Sequence, residues 1–451
     1  MPPVCRRSGS PTSVRGRAPE MSETESDTEH PLEPEDSLEP AEEPQPEPAP
    51  LAAPVDGVPK LAVTTYDIAE AAALLAGGHG AFAVDAERAS GFRYSNRAYL
   101  IQIRRAGAGS VLIDPVSHGG DPLTVLRPIA DVLNDGEWIL HAADQDLPCL
   151  AEVGMRPPAL YDTELAGRLA GFDRVNLAAM VQRLLGLGLT KGHGAADWSK
   201  RPLPDAWLNY AALDVEVLLE LRDAVAAELE RQGKTEWATQ EFEHLRTYVG
   251  QPTRRDRWRR TSGIHKVRNR KTLAAVQELW TVRDHIARRR DIAPGRILPD
   301  AAIIDAAQHD PTTVEELTKL AVFGGSKQRR SAQVWLDALA AARANPDPPD
   351  TNEPQTGPPP AVRWSKRKPE AADRLEAARA AMTALSASVT VPAENLLSPE
   401  LVRRLCWDWV PGDDAEVAVE AVLRDGGARQ WQRELAVPAL AKALGKAAAA
   451  D

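Results

Sequence analysis

The sequence predicts an α/β domain followed by all-α helical domains, with a disordered acidic tail in front. Three observations predict it. Between residues 60 and 145 four short apolar runs (AFAVDAE, YLIQIRR, VLIDPV, WILHAAD) are separated by Gly, Ser and Asn turns and by a helix-period segment, the alternation expected of a sheet covered by helices. Beyond residue 271 the apolar spacing is helical only. Before residue 60, prolines and carboxylates replace large apolar side chains, and such a segment cannot bury enough surface to fold. The 451 residues suit about two to four domains. With 43% hydrophobic and 26% charged residues, the chain can build several cores, which excludes global disorder.

In chain order, residues 1–59 form the tail, with thirteen Asp and Glu and no Lys or Arg between residues 20 and 56. Two uses of the tail stand open, a solvating bristle or a competitor for a basic patch; deletion of residues 1–56 is expected to keep or raise RNA affinity at low salt and to leave stability unchanged. Met21, where basic Ser/Pro-rich sequence gives way to acidic sequence, is a second candidate start. Residues 60–235 form the α/β domain. It opens with a short strand and an amphipathic helix (LAVTTYDIAEAAALLAGG), continues through three strands, a helix over 122–133 and a fourth strand, and ends in a helical stretch over 177–232. Pro204 sits near the start of a long helix through Tyr210, Asp214 and Leu219. Residues 236–271 are a basic connector, 272–344 a helical domain, 345–368 a Pro-rich linker and 369–451 a further helical domain.

The formal net charge of −11 argues against a polyanionic partner only if it is spread evenly, and it is concentrated in the tail. Residues 254–271 (RRDRWRRTSGIHKVRNRK) carry nine Lys and Arg against one Asp, a local field suited to a polyanion. The three cysteines, Cys5, Cys149 and Cys406, are too dispersed for a disulfide framework or a zinc site and point to a reducing, cytoplasmic setting. No 18-residue apolar run occurs, so no membrane span is expected.

Candidate chemistry lies in three places. Asp85 and Glu87 in AFAVDAE stand two apart on a strand, so both carboxylates face one side and can share a divalent cation. In ILHAADQDL, Asp144 and Asp146 follow a strand end, where either can also cap a helix. In NYAALDVEV, Tyr210 and Asp214 lie four apart on one helix face. The glycine clusters GLGLTKGHG and FGGSK do not spell a phosphate-binding loop, so no nucleotide cofactor is expected. Lys191, Lys200 and Arg201 are open to phosphate contact or to solvation.

Together these stretches, with RAYLIQI, YDTELAGRL and DWSKRPLP, resemble the ribonuclease D group of the DEDD exonucleases, in the branch that carries a tyrosine. The resemblance implies an RNase H-like fold and hydrolysis from the 3′ end with two divalent ions, Mg²⁺ or Mn²⁺. It assigns Asp85, Glu87, Asp146 and Asp214 as metal ligands and Tyr210 as the group that orients the attacking water. Asp146 is preferred to Asp144 because the family pattern places four residues between His and the ligand Asp, which an apolar residue follows. Asp162 reads as a helix cap, and His141 as a core or supporting residue rather than a base.

The segment LWTVRDHIARRRDIAPGRILPDAAIIDAA resembles an HRDC domain, and LEAARAAMTALSASVTVPAENLLSPELVRRL resembles a second HRDC-like copy without the Trp-x-x-Arg signature. Such modules imply phosphate contacts. The nucleic-acid-binding candidates are Arg254, Arg255, Arg257, Arg259, Arg260, Lys266, Arg268, Arg270 and Lys271, with Trp258 either stacking on an unpaired base or packing on a neighbour. The expected function is a 3′–5′ exoribonuclease that releases nucleoside monophosphates from structured precursors such as tRNA. Its rivals are a DNA exonuclease and a non-catalytic RNA-binding protein. A chain ending near Thr253 is expected to keep the chemistry.

Overall fold

The computed structural model describes residues 48–189, 192–252, 255–351, 357–410 and 414–448. Arg254, Lys191 and residues 1–47 of the tail lie outside them. The α/β domain runs β1 (Ala49–Leu51), β2 (Leu61–Ala62), α1 (Thr65–Ala76), β3 (His79–Arg88), β4 (Ala98–Ala106), β5 (Gly109–Ile113), α2 (Pro122–Val125), α3 (Arg127–Leu133), β6 (Glu137–Leu140), α4 (Leu147–Glu152), β7 (Ala159–Asp162), α5 (Thr163–Leu169), α6 (Leu177–Leu185), β8 (Leu187–Leu189), α7 (Asp205–Glu216), α8 (Leu218–Arg231) and α9 (Thr235–Arg246). The first helix starts where Thr64 and Asp67 form a reciprocal capping box.

Six strands form one sheet in the order β2-β5-β4-β3-β6-β7. The β3–β4–β5 meander is antiparallel, while β2, β6 and β7 join in parallel. Central β3 is two-faced, as period-2 alternation requires. Phe82, Val84 and Ala86 pack into the core under α1 and α3. Ala83 lies in the opposite core with Val215, Leu218 and Val225, and Asp85 and Glu87 continue that second face toward the strand's C-terminal end. Each large apolar side chain buried in this way contributes roughly 1.5–3 kcal/mol, which anchors the strand against the cost of burying carboxylates at its end.

Two expectations change here. The helical stretch over 177–232 is interrupted: α6 ends at Gly186 with φ 68°, β8 and a loop follow, and α7 breaks from α8 at Val217, next to the inward-turned Glu216 that meets Arg104 at 2.9 Å. The tail boundary at residue 59 is also too late. Ala49–Leu51 pairs in parallel with Leu187–Leu189, starting ten residues before that boundary. Backbone pairing, which composition does not report, decides this.

The first helical domain comprises α10 (Arg270–Arg290), α11 (Pro294–Ile297), α12 (Asp300–His309), α13 (Val314–Lys319), α14 (Ser326–Arg330) and α15 (Ala332–Ala344). The second comprises α16 (Trp364–Arg367), α17 (Pro369–Val389), α18 (Ala393–Leu396), α19 (Pro399–Asp408), α20 (Ala415–Asp425) and α21 (Gln430–Ala448). Helices of 21, 4 and 10 residues recur in the same order in both, as α10, α11, α12 and α17, α18, α19. The linker is shorter than composition suggests, because Trp364 is fully buried and its indole N–H donates to the Pro359 carbonyl at 2.7 Å.

Both helical domains dock on the α/β domain. Trp431 stacks on Trp237 at 5.0 Å, and buried Glu241 accepts from both Trp431 Nε1 and Arg429 Nε. On the other side the β3–β4 loop meets α10 and α11: Tyr94 donates to Asp284, and the backbone N–H of Ala293 donates to the Phe92 carbonyl. A chain ending near Thr253 would strip both contacts and expose the apolar surface beneath them. Among the described residues no helix is long and apolar enough to cross a membrane.

Candidate active site

The second face of β3 delivers Asp85 and Glu87 to the point where α7 crosses the meander. One carboxylate oxygen each from Asp85, Glu87 and Asp214 lie within 4.8 Å of one another. Asp85 sits opposite the fully buried Gln102 of β4, whose Nε2 donates to it at 2.9 Å. Asp146 comes from a different element, the residue just before α4, and lines the same cavity of about 260 Å³ with the other three carboxylates and Tyr210. It is 4% exposed, and its Oδ1 makes no hydrogen bond but lies 3.5 Å from the Arg88 guanidinium. Asp144, by contrast, is exposed and does not line the cavity.

The turn that carries Asp146 inward is held from β7. Ala142 adopts φ 62°, a left-handed conformation that costs a non-glycine residue of order 1 kcal/mol or more. The Asp162 carboxylate compensates by accepting from Ala143 N at 2.6 Å and Ala142 N at 3.4 Å, while also capping α5 through Leu165 N. Asp162 is thus the expected cap with a second task. His141 is bonded to Thr163 Oγ1 at 2.9 Å, and burial lowers its pKa to about 4, so it is neutral and fixed, as a supporting residue.

Electrostatics define what this cavity can hold. Burial first, and then Asp85, Asp214 and Asp146, push Glu87 up to about 9. Burial likewise raises Asp85, Asp146 and Asp214. Four carboxylates this close cannot all ionise at neutral pH unless a cation offsets them. An all-oxygen set of four carboxylates, balanced among the described residues by only one guanidinium at the cavity wall, fits a hard divalent ion. Tyr210, one helical turn before Asp214, is raised by burial and by the same carboxylates, so its phenol keeps its proton at neutral pH.

Some residues of the site were not foreseen. Strand alternation puts Arg88 on the face opposite Glu87, yet at the end of β3 its guanidinium reaches the cavity, donating to Gln145 Oε1 at 3.3 Å and lying 3.5 Å from Asp146. Gly192 abuts the Tyr210 ring so closely that a Cβ there would come within 1.6 Å of Cε2. Within the glycine cluster, Gly192 leaves the space that the Tyr210 ring fills. Arg201 does not reach toward substrate; it forks onto the fully buried Asp114 at 2.6 and 2.8 Å and onto the Tyr99 carbonyl.

Of the basic run, Arg255, Arg257, Arg260, Lys266 and Arg268 are exposed. Arg259 lies over the Trp258 ring and donates to the Asp350 carbonyl, and Arg270 pairs with Asp347. Trp258 is 4% exposed within the core of the first helical domain, so the base-stacking reading is withdrawn in favour of packing. Half-buried Trp280 lines a cleft of about 640 Å³ with Arg257 and Arg260, and the Arg257 guanidinium lies over its ring at 5.5 Å.

An RNase H-like sheet with four carboxylates converging at its central strand, and a tyrosine one turn from the last, defines a 3′–5′ exonuclease domain of the DEDD type. A family model described as "3′-5′ exonuclease" matches residues 61–230, and an HRDC domain model matches residues 272–339. Residues 357–444 match a third model, described as "3′ to 5′ exonuclease C-terminal domain", so the last domain has a family of its own although it repeats the HRDC helix lengths. A ribonuclease D of Nitrobacter hamburgensis is 31% identical over 290 residues, 63% of this chain and 73% of that protein. One of Gluconacetobacter diazotrophicus is 32% identical over 255 residues, 55% of this chain and 63% of that protein, so the matched part is somewhat under two thirds of some relatives' length. A solved protein from Bifidobacterium adolescentis superposes with TM-score 0.79 at 38% identity, over 88% of this chain and 100% of that one. Escherichia coli RNase D shares the fold, with TM-score 0.62 at 24% identity over 86% of this chain and 99% of that one. The chain belongs to the ribonuclease D family. Divalent-metal dependence goes with that family, and the acidic cluster to meet it is present.

Proposed function

We propose that the protein is a cytoplasmic 3′–5′ exoribonuclease that releases nucleoside monophosphates one at a time from the 3′ end of structured RNA precursors such as tRNA. The observation that carries this reading is the carboxylate cluster itself: Asp85, Glu87 and Asp214 within 4.8 Å, and buried Asp146 lining the same cavity. These four side chains would hold two divalent cations, Mg²⁺ or Mn²⁺, which when bound supply Lewis acidity to water and to the phosphoryl oxygens. Tyr210 donates its proton toward Asp214 and leaves the phenolic oxygen to accept a hydrogen bond from the attacking water, aligning it in line with the leaving 3′ oxygen. Gln102 fixes Asp85, Asp162 fixes the turn before Asp146, and Arg88 supplies a positive charge at the cavity wall. RNA is supported as substrate by the ribonuclease D relatives.

The test is release of labelled mononucleotide from matched RNA and DNA with Mg²⁺, with Mn²⁺ and with chelator. Release from RNA that chelator abolishes is expected. Binding without release would make the protein a non-catalytic RNA binder, and preferential release from DNA would make it a DNA exonuclease.

The exposed basic residues Arg255, Arg257, Arg260, Lys266 and Arg268 would hold the RNA body. Replacing Arg255, Arg257 and Arg260 together by Ala removes up to three phosphate contacts. The magnitude of the log-affinity against log-salt slope should then fall by up to about 2, at roughly 0.7 per single-strand phosphate. Turnover at saturating RNA should not change. An unchanged slope would place the RNA elsewhere.

A further inference from the structure

We infer that residues 49–56, which composition assigns to the acidic tail, form a strap that positions Tyr210 for catalysis, acting together with the Gly192 loop. The inference rests on the role proposed for Tyr210. The strap engages the catalytic helix and its neighbouring loop at separate points. Its strand β1 pairs with β8, opened by Ala49 N donating to the Gly186 carbonyl at 2.9 Å. The end of β8, Leu189, lies three residues before Gly192, the residue with no room for a side chain against the Tyr210 ring. Asn209, adjacent to Tyr210 on α7, donates from Nδ2 to the Ala52 carbonyl at 2.9 Å. Two residues beyond Asp214, buried Glu216 accepts from Val55 N at 3.3 Å, and Arg104 ties Glu216 to Asp56.

The strap therefore holds α7 on both sides of the Tyr210–Asp214 turn and pairs with the strand that ends three residues before Gly192. His193 completes the enclosure with its ring edge-on to Tyr210 at 5.9 Å and 87°. A phenol with ring freedom could place its oxygen on either side of the carboxylate cluster. Backbone packed against the ring and a strand locked behind that backbone remove the freedom. Small displacements of an orienting group are costly, since a shift of about 1 Å can lower turnover by about a hundredfold. None of these residues reaches the carboxylate cavity except through Tyr210 and α7, so they are positioning residues.

The experiment uses full-length variants and short unstructured RNA. Gly192→Ala intrudes on the ring, Ala49→Pro removes the first β1–β8 donor, and Asn209→Leu removes the Ala52 contact at similar size. Gly192→Ala is expected to lower kcat by about tenfold or more and the other two by a smaller factor, with KM within about twofold of wild type and the melting curve intact. Each is also made in a Tyr210→Phe background, where it should cost nothing further because the hydroxyl it positions is gone. Wild-type kcat for both Gly192→Ala and Ala49→Pro would overturn the inference, as would an equal loss in the Tyr210→Phe background, which would mark the strap as a general stabiliser. Full turnover of Tyr210→Phe alone would instead remove the role assigned to Tyr210, and the strap's role with it.

Discussion

Asp85→Asn and Asp214→Asn are each expected to lower nucleotide release by at least about a thousandfold, a loss of roughly 4 kcal/mol of transition-state stabilisation. The substitutions keep side-chain shape and remove one charge from a cluster that needs every charge to hold divalent cations. Stability should move the other way. Burial and neighbouring carboxylates already disfavour ionisation of both residues, so removing a charge relieves repulsion, and the metal-free variants should melt at or above the wild-type temperature. The wild type should gain melting temperature on adding Mg²⁺ or Mn²⁺, because ligand that binds only the folded state stabilises it, and the variants should lose most of that gain. Asp146→Asn should resemble them, whereas Asp144→Asn, at an exposed position outside the cavity, should release nucleotides at close to the wild-type rate. Mononucleotide release and metal-dependent melting measured side by side check all four. Wild-type activity of Asp85→Asn or Asp214→Asn would refute the site, and a reversed order for Asp144 and Asp146 would mean that the wrong carboxylate faces the metal.

Much of the sheet and most of the site were legible because their signals are local. Period-2 alternation in AFAVDAE placed Asp85 and Glu87 on one face, and the structure has them there, with Phe82 and Val84 on the other. The four-residue step from Tyr210 to Asp214 put both on one side of α7, and both line the cavity. Asp162 read as a cap because a carboxylate before a helical run satisfies free N–H groups, and it caps α5.

What stayed hidden depends on partners distant in sequence. The strand β1 lies in a Pro-rich acidic stretch with no strand propensity; it is ordered because Leu187–Leu189 offers an edge to pair with. No composition argument could supply that partner, and a deletion of residues 1–56, expected from composition to be harmless, would remove it. Arg88 was missed because its long side chain reaches from the strand end to Gln145 and Asp146, partners distant in sequence. Trp258 sits among arginines, which suggests a surface, yet the apolar residues that bury it come from helices that follow. In each case the local pattern was read correctly and a tertiary contact outweighed it.

Tyr210→Phe isolates the role of one hydroxyl. The ring remains, so its packing against Gly192 and His193 should persist, and the melting temperature should stay close to wild type. RNA affinity should also stay, because the phosphate contacts proposed above involve other residues. Turnover should fall by about a hundredfold, within the range for loss of a positioned proton-handling group. The deficit should be smaller than for the aspartate variants, since the carboxylate cluster and its metal-dependent melting shift remain. It should not be recovered at higher pH: burial and the surrounding carboxylates keep the native phenol protonated, so the lost function is orientation of water by a neutral hydroxyl rather than attack by a phenolate. Single-turnover rates on short RNA between about pH 6 and 9 would show this as two parallel profiles separated by a constant factor. Profiles that converge at either end would assign Tyr210 a titrating role, and coincident profiles would make it a packing residue with no part in the chemistry.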